Sequence, residues 1–478
     1  MRNWLKVMTI SMAAAVVALP ARAETLADAL IAAYRNSNLM QQNQAVLRAA
    51  DEDAAIAMSA LRPVVAYAVR AGSSYSHTDG FGASGFLGTG PVVPTSSWSK
   101  NFSATFELSV SLTLMDFGRR AIALEIAREN VMATRQALVS VEQDVLLAAV
   151  RAYVQVRLQL EIVALRQSNV RLITQELRAA QDRFEVGEIT RTDVSIAEAA
   201  LAASRANLAA AEGDLKVARE TYKAATGAYP GKLAPLPKSP AIGKSMEEAR
   251  RVAVSTHPTI RQSQHTVKAS DLNVSLAEAA MKPVLGLSAG ITGSRAESDG
   301  LLRDSDTLGG SVGLNLSQTI YAGGEYSARY RKAVAQKEGA RAGLHQTVVI
   351  IEQNVGTLWA MLEVYNASIE ASRQQIVAAQ AAFDGVREEA ALGARTTLDV
   401  LDAEQDLLNA RASRLESEAN RYYSVYQILA GMGLLTVEHL NLGIPTYDPA
   451  AYYNAVRSAP TTSVQGKKLD RILKRGNN

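Results

Sequence analysis

The chain has no cysteine, which excludes a thiol nucleophile, a zinc-thiolate centre, a disulfide framework and a lipid-modified N-terminal cysteine. Its five histidines, His77, His257, His265, His345 and His439, are scattered without ligand spacing. Neither a nucleophile-base constellation nor a phosphate-cradling loop is present, so no metal, cofactor or catalytic role is expected. Excess positive charge is also lacking. The formal net charge is +3, and three basic side chains (Arg2, Lys6, Arg22) lie in the first 23 residues, leaving the rest near neutral and without a nucleic-acid footprint. Beyond those residues no apolar run reaches the roughly 18 residues that a helical membrane span requires. A membrane, if the protein meets one, is crossed by strands.

Residues 1–23 read as a secretory signal: a basic start, an apolar stretch from Val7 to Leu19, and Ala21-Arg22-Ala23 as a small-x-small cleavage site. The remainder is written twice. Leu26–Arg62 matches Met246–Lys282 at an offset of 220, pairing Ala29/Ala249, Asp51/Asp271 and Pro63/Pro283. From Gly118/Gly324 through Gly187/Gly393, Asp193/Asp399 and Glu198/Glu404 the offset is 206, so 14 residues are absent from the second copy between the Pro and Gly anchors. A period near 200 residues is too long for a solenoid and implies two similar halves built into one object.

Proline is missing between Pro94 and Pro230, and glycine between Gly118 and Gly187. That absence predicts one very long helix over 119–184, about 100 Å at 1.5 Å per residue. Leu124, Val131, Leu138, Val145 and Ala152 step by seven, with Ala127, Thr134, Val141 and Ala148 three later, the spacing of a coiled-coil seam. The first repeat, 24–230, thus comprises short helices near 26–61, a strand hairpin 64–114, and helices 119–184 and 192–226. A proline-rich linker follows at 231–244. The second repeat, 245–431, has short helices near 246–281, a hairpin 284–322, and helices 326–392 and 398–430. A tail, 432–478, ends in the basic run Lys467, Lys468, Arg471, Lys474 and Arg475.

From Phe102 to Leu114 every even position is apolar and every odd one polar, and Leu308–Leu316 alternates in the same sense. Strands of roughly 9 to 13 residues with one apolar face and one small polar face suit a barrel in lipid with a wet lumen. Four strands cannot close such a barrel, because an open edge in lipid leaves backbone groups unpaired. Several chains must share it: two would supply eight strands, three would supply twelve.

Leu-Met-Asp-Phe-Gly at 114–118, Ile-Tyr-Ala-Gly-Gly at 320–324, and the segments 186–194 and 392–402 carry a family likeness. With them the chain resembles the TolC-like outer-membrane channels across nearly all of residues 24–478. The resemblance implies an α+β membrane channel: a homotrimer with a shared 12-stranded outer-membrane β-barrel and a periplasmic α-helical barrel of coiled-coil helices. It implies a passive exit duct for type I protein secretion or multidrug efflux, with a periplasmic adaptor and an inner-membrane ABC or RND pump as partners. By the same likeness, loops 76–100 and 294–307 face outward and the tips at Gly187 and Gly393 face the adaptor at the pump end. Thr192, Asp193 and Arg395 match a network that holds the tunnel mouth closed, while Asp399 and Asp402 match carboxylates lining its constriction. Ala390 and Glu418 stand where the best-known member has a tyrosine and an arginine of that gate.

A simpler reading exists for part of this constellation. Thr190 and Thr396 precede Asp193 and Asp399 by three residues, the spacing of a helix capping box, whereas Asp402 lies beyond the reach of a cap. The alternative for the whole chain is a structural coiled-coil envelope protein or adhesin.

Overall fold

A computed structural model of the chain describes residues 23–83, 91–298 and 304–459; the signal segment and the basic run at 467–475 lie outside them. Its elements are α1 Leu26–Asn36, α2 Asn38–Ser59, β1 Val64–Ala83, β2 Val92–Met115, α3 Arg119–Glu185, α4 Arg191–Thr226, α5 Met246–Thr256, α6 Pro258–Ala279, β3 Val284–Ser298, β4 Ser305–Ser317, α7 Glu325–Ala391, α8 Thr397–Gly431 and α9 Pro449–Val456. Among the described residues no helix is long and apolar enough to cross a membrane. The elements group into two compact units. One takes the described residues to Asn43 with Leu138–Pro258 and Val348–Thr446; the other takes Gln44–Ala137, Thr259–Thr347 and the described residues from Tyr447.

The first unit is helical. Tyr153, Tyr222, Leu146, Ile428 and Leu429 are fully buried in it. The segment before α1 and the linker are tied by a parallel bridge, Glu24 to Leu233, and the Tyr153 hydroxyl donates to the Glu24 and Ala234 carbonyls at 3.1 and 2.7 Å. Local chemistry recurs at the sequence offsets. Thr25 and Ser245 cap α1 and α5. Asn36 Nδ2 donates to the Thr226 carbonyl at 2.8 Å, and Thr256 Oγ1 to the Met432 carbonyl at 2.5 Å, so each short helix fastens the end of a long one. Gly227 and Gly433 follow those ends at φ 89° and 75°. At Gly433 an added Cβ would lie 2.7 Å from His257 Cα, which leaves room only for glycine.

Along α3 the row stepping by seven is buried: Leu124, Val131, Leu138, Val145 and Ala152 are at most 9 % exposed. The second expected row is not. Ala127, Thr134 and Val141 are half-buried and Ala148 is exposed, while Leu146, Ala149, Val150 and Tyr153 are buried instead. Through this stretch α3 meets the linker and the segment after α8, where Val437 N–H donates to Glu142 at 2.7 Å. Burial there spreads around the helix beyond a two-stranded seam.

The second unit holds an antiparallel sheet of order β1-β2-β3-β4. Its register places Leu108 beside Tyr67 and Ile291, Phe106 beside Val69, and Leu287 beside Leu314, assembling one continuous apolar face. Much of that face is solvent-exposed, Val312 at 79 % and Leu314 at 68 %. The opposite face carries serines, threonines and the pair Arg70 Nη1 to Glu107 Oε2, 3.2 Å. The strands run longer than their alternation predicts. Residues expected in the loops 76–100 and 294–307 are instead paired as far as Ala83↔Val92 and Ala296↔Ser305. Threonine and tyrosine are good strand formers, and Pro94 is tolerated because among the described residues β3 begins to pair with β2 only at Asn101↔Ser298, so Pro94 has a strand on one side alone.

Below the sheet, Arg119 donates to the Ala279, Ala280 and Lys282 carbonyls at 2.6–2.9 Å, satisfying the end of α6. Arg120 reaches the Ala60 and Thr113 carbonyls and Asp116 at 2.7–2.8 Å. The turns entering α3 and α7 share a backbone: Phe117 and Gly118 at φ 52° and 87°, Gly323 and Gly324 at 60° and 87°. For Phe117 that left-handed conformation costs roughly 1–2 kcal/mol relative to glycine.

Candidate functional site

The sequence-derived site residues cluster at the α3-α4 and α7-α8 connections, in the helical unit. Each connection begins with a glycine-terminated helix. Gly187 N–H donates to the Phe184 carbonyl (3.0 Å) and Glu188 N–H to Arg183 (2.9 Å); Gly393 and Ala394 repeat this with Ala390 (3.2 Å) and Glu389 (2.9 Å). This is the Schellman pattern, whose left-handed residue is glycine, here at φ 79° and 78°.

Each connection ends in a capping box. Thr190 N–H and hydroxyl donate to Asp193 Oδ2 at 2.9 and 2.7 Å, and Thr396 does the same to Asp399 at 2.9 and 2.8 Å. Hydrogen bonds from Thr190 hold the Asp193 carboxyl below the usual range; those from Thr396, with a smaller contribution from Arg395, do so for Asp399. Both aspartates are thus anionic and oriented by helix starts. Asp402 takes no part in the box and is exposed one turn further along α8, on the face of Asp399. Thr192 is exposed in the first turn of α4. Arg395 does not bond Thr192 or Asp193 within the chain; its Nε donates to Glu389 Oε2 at 2.8 Å, with both side chains about half exposed.

Ala390 is buried with Phe383, Val400 and Leu407. Beside it lies a 250 Å3 cavity lined by Glu176, Arg183, Arg387 and Thr397. Ala390 is itself among the residues that line it. Arg183 Nη1 donates to the Ala390 carbonyl at 3.2 Å and Arg387 pairs with Glu176 at 3.3 Å. Glu418 accepts from Arg414 on its own helix at 2.8 Å.

One pair escaped sequence reasoning. Asn169 Nδ2 on α3 donates to Glu404 Oε1 on α8 at 2.6 Å, each residue 5 % exposed. Burial pushes the Glu404 carboxyl up to about 7; the Asn169 bond and Arg387 oppose this and Glu176 adds to it. The available signal was an acid within an apolar row, since Leu401, Glu404 and Leu408 step by three and four.

Paired long-helix hairpins with capped turns, carried by a chain whose short sheet exposes an apolar face, define an α+β outer-membrane channel subunit. The Outer membrane efflux protein family profile matches residues 30–228 and 250–434, and the chain belongs to that family. Its members are channels of the outer membrane, and this chain is a channel protein of the outer membrane, not an enzyme. The outer membrane efflux protein BepC of Brucella suis biovar 1 (strain 1330) is 33 % identical over 437 residues, 91 % of each chain. The alkaline protease secretion protein AprF of Pseudomonas aeruginosa is 26 % identical over 280 residues, 57 % of each chain. A crystal structure of CusC superposes with a TM-score of 0.70 at 20 % identity, covering 86 % of this chain and 92 % of the other.

Proposed function

We propose that three copies of the chain form a passive exit duct, each giving four strands to a 12-stranded barrel and α3, α4, α7 and α8 to a periplasmic tunnel. A periplasmic adaptor couples it to an inner-membrane pump. The observation carrying this reading is the sheet: its apolar face is exposed, which is unfavourable in water, and its β1 and β4 edges are unpaired among the described residues, which is untenable in lipid; closure into a barrel in lipid resolves both. In this duct Asp399 and Asp402 form stacked rings of carboxylates at the narrowest point. Thr192, Asp193 and Arg395 bond between helices to hold it shut, and the Gly187 and Gly393 turns face the adaptor. Small toxic compounds are the favoured cargo, because the relative spanning 91 % of the chain is named for efflux. Protein secretion is the second reading, supported by the relative named for protease secretion. Purified protein in a planar bilayer should give discrete single-channel steps; a chain that assembles as a fibre or adhesin would give none.

A further inference from the structure

The Asn169–Glu404 bond joins the first half of the chain to the second, α3 to α8. At the offset of 206 that relates the long helices, Asn169 corresponds to Gln375 on α7 and Glu404 to Glu198 on α4. A carboxamide and a carboxylate therefore stand at both pairs of positions. Their surroundings differ: Asn169 and Glu404 are buried, whereas Gln375 and Glu198 are exposed on the single chain.

We propose that Gln375 of one chain and Glu198 of the next form, between subunits, the bond that Asn169 and Glu404 form within each subunit. The occupant of the exposed α7 face is thus a second copy of this chain, presenting α4. The proposal rests on the oligomeric duct reading and names the residues through which its subunits meet. In a ring that alternates two halves of similar architecture, repeating the first-to-second contact from the second half to the next first half gives every seam the same geometry and closes the ring evenly. The Gln375 carboxamide has N–H donors and the Glu198 carboxylate only acceptors, as in the buried pair.

The repeated seam is thinner. Leu172 packs at the internal seam and Leu401 is 8 % exposed there; their counterparts, Ala378 and Ser195, are small and exposed. Less apolar area is available to bury, so the polar pair accounts for a larger share of the specificity between subunits.

The absence of native cysteine makes the test direct. Glu198→Cys combined with Gln375→Cys, treated in outer-membrane preparations with a short bifunctional thiol reagent, should give covalently linked chains on a denaturing gel. Each single variant should stay monomeric, and Asn169→Cys with Glu404→Cys should yield no chain-to-chain product. A second set of variants covers failure of the cysteine pair to assemble. Gln375→Glu alone opposes two carboxylates and should lose heat-resistant oligomer, and adding Glu198→Gln should restore it. A trimer by native mass without cross-linking, or a Gln375→Glu oligomer as heat-resistant as wild type, overturns the pairing and leaves the duct reading standing. Absence of any oligomer in the wild-type protein sinks the duct reading itself.

Discussion

Glu404 accepts a 2.6 Å hydrogen bond from Asn169 where both side chains are almost wholly removed from water. This contact holds α8, the helix bearing Asp399 and Asp402, against α3, and it places a carboxyl group with a pKa of about 7 inside the helical unit.

A pH dependence follows. The folded-state pKa lies above the ordinary 4.5, so the stabilisation is fully present below about pH 4.5 and is lost as the pH rises through about 7. The shift corresponds to about 3 kcal/mol at most. Glu404→Gln keeps an acceptor for Asn169 and removes the titration. Thermal unfolding of the assembled protein between pH 4.5 and 8 should be flatter in the variant; an unchanged slope would assign the effect to another group.

On the sheet, Leu108 lies between Tyr67 and Ile291, and Leu314 lies on the same face. An arginine at either position should cost roughly 2–4 kcal/mol near the bilayer midplane. Less membrane-inserted oligomer is expected from Leu108→Arg and Leu314→Arg, quantified against wild type in outer-membrane fractions. Equal amounts would mean that this face does not contact lipid.

The two aspartates are separable. Asp399 serves the Thr396 capping box, so Asp399→Asn should lower the unfolding temperature slightly as well as removing charge. Asp402 has no such duty, and Asp402→Asn should weaken block by multivalent cations while leaving unfolding unchanged, because crowded like charges attract such ions. The double variant should abolish the block. If wild-type and double-variant channels are blocked at the same concentration, helix capping is all that Asp399 provides.

Among the described residues Arg395 is ion-paired within its chain with Glu389, both side chains about half exposed, and a solvent-exposed pair of this kind is weak. Exchanging Glu389 for Thr192 or Asp193 of a neighbouring chain therefore costs little. Arg395→Ser should raise single-channel conductance and admit bulky antibiotics, while Glu389→Gln should leave both as they are. Wild-type conductance in an intact Arg395→Ser trimer would remove Arg395 from the gate.

The long helix α3 was legible because the absence of proline and glycine over some 65 residues leaves the chain few alternatives, α7, which holds Gly339, Gly343, Gly356 and Gly385, because it repeats α3 at the offset of 206, and the tips because glycine and Thr-x-x-Asp mark helix ends. Strand ends were less visible. Ser, Thr and Gly between Tyr75 and Lys100 read as loop, yet cross-strand partners such as His77 on Trp98, 4.4 Å between ring centroids, carry the hairpin onward. Phe117 hid a turn that glycine announces at Gly323, since similar left-handed φ angles, 52° and 60°, arise there from different residues. Glu404 was missed because periodicity reports apolar faces, whereas a buried carboxylate depends on a partner 235 positions away.

The sheet's uneven hairpins have a practical consequence. Beyond Ser74↔Asn101, residues Tyr75–Ala83 and Val92–Lys100 pair only with each other among the described residues, forming a two-stranded ribbon past the reach of β3. Residues added in equal number to both arms of that ribbon alter no register in the four-stranded sheet. An affinity tag or fluorescent epitope grafted there would report on the assembled protein without entering the wall that has to close.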